Sequence, residues 1–147
     1  MNPWIYRNKP VEVPPDGAVG FVYRITNNQT GQRYIGKKFC WSKRRKKVTG
    51  RKNRKVIVKE SGWRDYFSSS DFLIADAEKI GYDKFTREIL NWYFTKKDVS
   101  YGELEEQVKC NILTAKLSDG SPAYYNRSIL GKYFCNIMSE ETKKKRT

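Results

Sequence analysis

Phe21-Val22-Tyr23-Arg24-Ile25-Thr26-Asn27-Asn28-Gln29-Thr30-Gly31-Gln32-Arg33-Tyr34-Ile35-Gly36 is the stretch whose reading decides the fold. Its first six residues are β-branched or aromatic with one arginine, a composition that suits a pleated, half-buried strand. Asn27 to Gly31 is a strong turn signal, and Gln32 to Gly36 reads as a second strand, so the whole is a β-hairpin. Two registers are open. In a regular ribbon turning at Asn28-Gln29, Tyr23 and Tyr34 lie opposite each other with Cβ atoms about 5 Å apart. A longer turn needs a bulge at Gly31 to keep both on one face.

Outward from the hairpin, residues 1–19 carry four of the five prolines and Gly17, which reads as an N-terminal extended arm. Residues 37–59 hold twelve Lys or Arg and no acid. Self-repulsion makes the middle of that run an exposed basic loop inserted after the second strand. Ser69 or Ser70 can cap a helix through Phe72, Leu73, Ala77 and Ile80, with Gly81 as its stop. Residues 85–94 read as a third strand. A second helix is expected from Asp98 or Ser100 through Leu104, Val108, Ile112 and Leu113. The predicted architecture is α+β: a small three-stranded antiparallel sheet flanked by helices, forming one domain over 20–138, with a basic tail at 139–147.

Charge bounds the function. Lys plus Arg number 30 against 16 Asp plus Glu, a formal charge of +14 on 147 residues. Such an excess attracts polyanions, above all nucleic acid. No apolar run approaches 18 residues and Met1-Asn2-Pro3-Trp4 is no secretory leader, so a cytoplasmic location without a membrane partner is expected. The three scattered cysteines match neither a disulfide framework nor a zinc spacing and read as reduced thiols. The chain has no histidine, which excludes His-based acid–base catalysis and His-ligated zinc.

Phe21-Val22-Tyr23 followed after ten residues by Tyr34-Ile35-Gly36 resembles the paired half-motifs of the GIY-YIG nuclease family, and the Asn-Asn-x-x-Gly turn between them is of the kind that family carries. The second half-motif is complete. In the first, Phe21 stands where glycine is usual, with Gly20 one place earlier, and Val22 stands for isoleucine. An arginine about eight residues after the second half-motif is matched by Arg44, with Arg45 as its rival. A glutamate on the helix after the third strand is matched by Glu103, with Glu105 and Glu106 as alternatives. An asparagine after an aromatic near the end is matched by Tyr125-Asn126. The resemblance spans roughly residues 20–130 and is nearest to short phage-borne members of the family, which would act in the host cytoplasm.

The resemblance implies a DNA endonuclease that uses Mg²⁺ or Mn²⁺ and no other cofactor. Tyr23 would be the base that activates water, Tyr34 would assist it, Arg44 would grip phosphate, Glu103 would bind the metal and Asn126 would position the site or its backbone. The chemistry is coherent. Two phenols near guanidinium and metal cations would have depressed pKa values, a planar guanidinium binds phosphate bidentately, and hydrated Mg²⁺ needs few protein ligands.

Each residue also has a plainer reading. Tyrosines on strands are more often packing residues. Ser100-x-x-Glu103 has capping-box spacing, and Asn126 could be a turn residue. Lys37, Lys38, Lys43, Arg45, Lys46, Lys47, Arg51, Lys52, Arg54 and Lys55 are assigned to phosphate contacts, although such runs often form only a solvated face. Six contacts would give a log K against log salt slope of about −5. Trp41, Trp63 and Tyr66 can stack on bases or serve the core. Two rival functions are a non-catalytic nucleic-acid-binding module on the same fold and a structural partner held by charge in a phage assembly. Oligomeric state is open.

Overall fold

The hairpin folds as two long strands, β3 (Gly20–Asn27) and β4 (Arg33–Phe39), in the computed structural model, which describes residues 1–46, 50 and 55–135. The turn spans four residues and is held from within: Asn27 Oδ1 accepts from the backbone N–H of Gln29 (2.9 Å) and Thr30 (3.3 Å). Gly31 supplies the positive φ, 83°, that such a turn needs. This length sets Tyr23 opposite Gly36 and Ile25 opposite Tyr34. The two tyrosines are therefore diagonal neighbours on one face, not directly opposed, and the ladder between them has no break. Neither register expected from the sequence is the one adopted.

Strand β7 (Phe85–Tyr93) pairs antiparallel with β3 on its other side, with a β-bulge where the register shifts between Val22 and Tyr23. These three strands are the antiparallel sheet expected. The sheet is larger, however. β1 (Trp4–Tyr6) lies parallel to β7, and β2 (Lys9–Pro10) pairs antiparallel with β1, giving a mixed five-stranded order β2-β1-β7-β3-β4. The proline-rich start thus contributes two strands to the sheet, and Trp4 anchors it. That ring is 2% exposed, meets Phe21 and Tyr23 edge-on at 5.2 and 5.3 Å, and donates its indole N–H to Trp63 O at 2.7 Å. Pro10 sits on the edge strand, where a missing N–H is tolerated.

Within the basic run of 37–59, the described residues on both sides are strands rather than loop. β5 (Trp41–Lys46) and β6 (Lys55–Glu60) form a second hairpin whose register sets Lys43, Arg44 and Arg45 against Val58, Ile57 and Val56. At these three positions a basic residue is paired with an apolar one, although Lys46 is set opposite Lys55. Lys47, Arg51, Lys52, Arg54 and the tail at 139–147 lie outside the described residues, as do the side chains of Arg44, Arg45, Lys46 and Lys55.

Helix α1 (Asp71–Ile80) starts and stops where the sequence says. Ser70 accepts from Leu73 N, and the Gly81 N–H closes on Ala77 O. Helix α2 (Lys96–Lys109) begins earlier than expected, because Thr95 caps it by accepting from Asp98 N at 3.1 Å. Asp98 then falls in the first turn, favourable for the helix dipole. The helix also ends before Ile112, with Asn111 at φ 52° beyond it. A short hairpin, β8 (Ser128–Ile129) with β9 (Tyr133–Phe134), follows.

Strand alternation divides the core. Phe21, Tyr23 and Ile25 pack with Trp4, Trp63, Leu73 and Ala77 on the α1 side, whereas Val22 and Ile35 pack with Ile112, Tyr124 and Ile129 on the α2 side. Arg87, 3% exposed, ties the N-terminus to the segment before α1 by donating to the carbonyls of Asn2, Arg64 and Tyr66. Burial lowers its pKa to about 10. Among the described residues, no helix is long and apolar enough to cross a membrane.

Candidate active site

Gly36 explains how the two tyrosines share one face. A Cβ built there would lie 2.5 Å from the Tyr23 hydroxyl and 2.9 Å from the Tyr34 ring. The Tyr23 phenol lies across the strand in the space that the missing side chain leaves. The two rings stand 6.1 Å apart, tilted by 35°. Tyr23 is 1% exposed, and its hydroxyl donates to that of Tyr66 at 3.5 Å. Tyr34 is half-buried, hydrogen-bonds Ser69 Oγ at 3.3 Å, and lines a cleft of about 200 Å³ with Ser70, Phe72 and Arg127.

Helix α2 brings the carboxylate. Tyr93 lies against Gly102 so closely that a Cβ there would clash with its phenol, and this lets the helix settle along the outer edge of β4. Ser100, Glu103 and Gln107 recur at helical spacing on the approaching face. Ser100 Oγ accepts from Lys37 Nζ at 3.0 Å, and Gln107 Nε2 donates to Ile35 O at 3.1 Å. Between them, Glu103 lies in the electrostatic range of Lys37 and of both tyrosines. Because Thr95 is the cap, Glu103 is not used in a capping box. Glu105 is on the outward face with Tyr101 and Val108, and Glu106 accepts from Cys110 Sγ at 3.5 Å. Of the three glutamates, Glu103 is the one turned to the tyrosines.

Asn126 does not reach the phenols. Its Oδ1 accepts from Ile35 N at 3.0 Å and its Nδ2 donates to Ile35 O at 2.8 Å. It thus pairs with the exposed edge of β4 as a neighbouring strand would. Arg33 N donates to Ala123 O and Tyr125 N donates to Arg33 O, so residues 123–126 and α2 together satisfy the edge from 33 to 37.

The electrostatics differ from the sequence expectation. Burial pushes the Tyr23 hydroxyl well above its ordinary value, and the Tyr66, Tyr34 and Glu103 groups add to the rise. Burial also raises Tyr34, although the Ser69 hydrogen bond opposes it. Glu103 is raised by burial, with Lys37 pulling the other way. Among the described residues, then, the protein's own charges do not depress the two phenols. A lone half-buried carboxylate fits Mg²⁺, which keeps most of its waters, better than an ion that needs a full protein cage. Among the described residues no group of three or more Asp, Glu or Cys could form such a cage.

Of the cationic assignments, Lys37 and Lys38 flank the site, and Lys38 Nζ stands 4.4 Å from the centroid of the Tyr66 ring. Lys43 is exposed on β5. Trp63 is a core residue, whereas Trp41 is 45% exposed and donates to Ala18 O. Tyr66, read from the sequence as packing or stacking, is a third phenol at the centre. Nothing local marks it, since only the fold brings it to Tyr23.

A family model described as "Putative endonuclease segE, GIY-YIG domain" matches residues 4–129. No curated protein and no solved structure matches the chain.

Proposed function

Because the chain belongs to the GIY-YIG endonuclease domain family, whose nuclease activity makes nucleic acid its substrate, we propose that it is a metal-dependent endonuclease that hydrolyses DNA phosphodiester bonds with a tyrosine-activated water. The observation that carries this reading is the meeting of Tyr23 and Tyr34 at Gly36, with Glu103 within electrostatic range of both.

Accessibility favours Tyr34 as the phenol that takes the proton from water, since it lines an open cleft while Tyr23 is enclosed. Tyr23 then holds the Tyr34 ring in place and, with Tyr66, shields it from behind. This reverses the roles expected from the motif. Glu103 would hold a hydrated Mg²⁺ or Mn²⁺, which supplies charge stabilisation at the phosphoryl and leaving oxygens. Lys37 and Lys38 draw the backbone phosphates over the tyrosines. Asn126 and Gln107 keep the β4 edge rigid, so that Tyr34 and the Glu103 carboxylate hold a fixed separation.

Nicking of supercoiled plasmid with Mg²⁺ tests the reading. Wild type should nick, and Tyr34→Phe should lower kcat by about 10²–10⁴ with duplex binding unchanged. Binding without nicking in the wild type would replace the proposal with a non-catalytic nucleic-acid module. A Tyr23→Phe variant that fails while Tyr34→Phe cuts would restore the motif's order of roles.

A further inference from the structure

Arg127 lies on the wall of the cleft that Tyr34 lines, and it also lines a second cleft of about 250 Å³ bounded by Gln32 and Asp76. Its backbone is held on both sides. Asn126 is fixed to Ile35, and Cys135 N donates to Arg127 O at 2.8 Å across the β8–β9 hairpin. The guanidinium stacks on Phe72, 4.4 Å from the ring centroid. Its only side-chain hydrogen bond among the described residues is a long one from Nη1 to Cys135 Sγ, 3.9 Å, and its Nε is buried without a partner. Asp71 and Asp76 flank the clefts. Neither is among the ion pairs of the described residues, and Asp76 accepts from the Tyr125 hydroxyl instead. The result is a planar cation, rigidly mounted, with donors uncommitted beside the tyrosine centre.

We propose that Arg127 binds a backbone phosphate of the nucleic acid next to the one that reacts. The inference rests on the reading of Tyr34 as part of a nuclease centre. A guanidinium offers phosphate two parallel N–H donors, and stacking on an aromatic face fixes its plane beforehand. The reacting phosphate belongs with Glu103 and Lys37. Lys37 is three residues from Tyr34 along β4, about 10 Å at strand spacing, and Arg127 approaches from the α1 side of Tyr34. Arg127 borders the Tyr34 cleft while Lys37 Nζ is held at Ser100 on α2, so the two grip successive phosphates and the strand is led across Tyr34 between them.

Duplex affinity measured by fluorescence anisotropy over a KCl series, without divalent metal, tests this independently of cleavage. Arg127→Ala and Arg127→Gln should each reduce the magnitude of the log K against log salt slope by about 0.9, one phosphate contact, whereas Arg127→Lys should keep the wild-type slope. An unchanged slope in both neutral variants overturns the inference. Should those variants fold poorly, the wild type decides. In ¹⁵N NMR the Arg127 Nε–Hε signal should move on titration with the dinucleotide pTpT while that of Arg64, paired with Glu60, stays; a stationary Arg127 signal overturns it. Loss of slope in a protein that does not nick plasmid would sink the nuclease reading and leave the phosphate contact standing. Nicking with no change of slope would sink only the role of Arg127.

Discussion

Glu103 carries opposite demands for stability and for activity. Burial raises its pKa, so between the unfolded and folded values the native state holds the proton more firmly. Unfolding free energy therefore falls as pH rises through that window, and above it the full cost of the buried charge remains. Replacing the carboxylate by its neutral isostere removes that cost. Glu103→Gln should melt higher than wild type at pH 8 and lose the difference on acidification to pH 4, while nicking is abolished. A lower melting temperature at pH 8 would show that the attraction of Lys37 outweighs desolvation. The phenols give a kinetic counterpart. Burial raises Tyr34 above its usual value, so little phenolate exists at neutral pH, and kcat/KM should climb about tenfold per unit between pH 7 and 9. A flat profile would mean that another group takes the proton. At this scale a motif drew attention to Tyr23, Tyr34 and Glu103, which the fold brings near one another. Tyr66 and Arg127 carry no local pattern, since their neighbours Tyr23 and Phe72 lie 43 and 55 positions away in the chain.

Two close approaches govern the elements. At Gly36 the β4 strand leaves room for Tyr23, and at Gly102 the α2 helix leaves room for Tyr93. Gly36→Ala should cost about 1–3 kcal/mol, the usual range for overpacking, and should lower kcat more than affinity because the displaced ring is Tyr23 itself. Thermal melts beside plasmid nicking separate the two effects. The β3–β4 hairpin, α1 and β7 were legible because turn, cap and alternation signals are local. The start of α2 was not, since Thr95, Asp98 and Ser100 are all good caps and only the fold selects among them. The β5–β6 hairpin was hidden by charge density, although the Val56-Ile57-Val58 run that pairs with it stood in plain view.

For the whole molecule, the parallel partnership of β1 with β7 was invisible because Trp4 and Arg87 are 83 residues apart and a three-residue strand has no periodicity to detect. Trp4 nonetheless touches the rings that back the site. Trp4→Ala should cost about 3–5 kcal/mol, a large part of the 5–15 typical of a domain, and a loss under 1 kcal/mol in denaturant titration would refute its place as an anchor. Asn126→Ala strands the buried Ile35 N–H, worth about 1–3 kcal/mol.

The same contact makes the closing of the β4 edge depend on the order of synthesis. Ile35 is made 91 residues before its asparagine partner, so all of those residues must be added before the edge beside Tyr34 is closed. At synthesis rates of about 5–20 residues per second, a growing polypeptide spends several seconds tethered near nucleic acid with that edge still open.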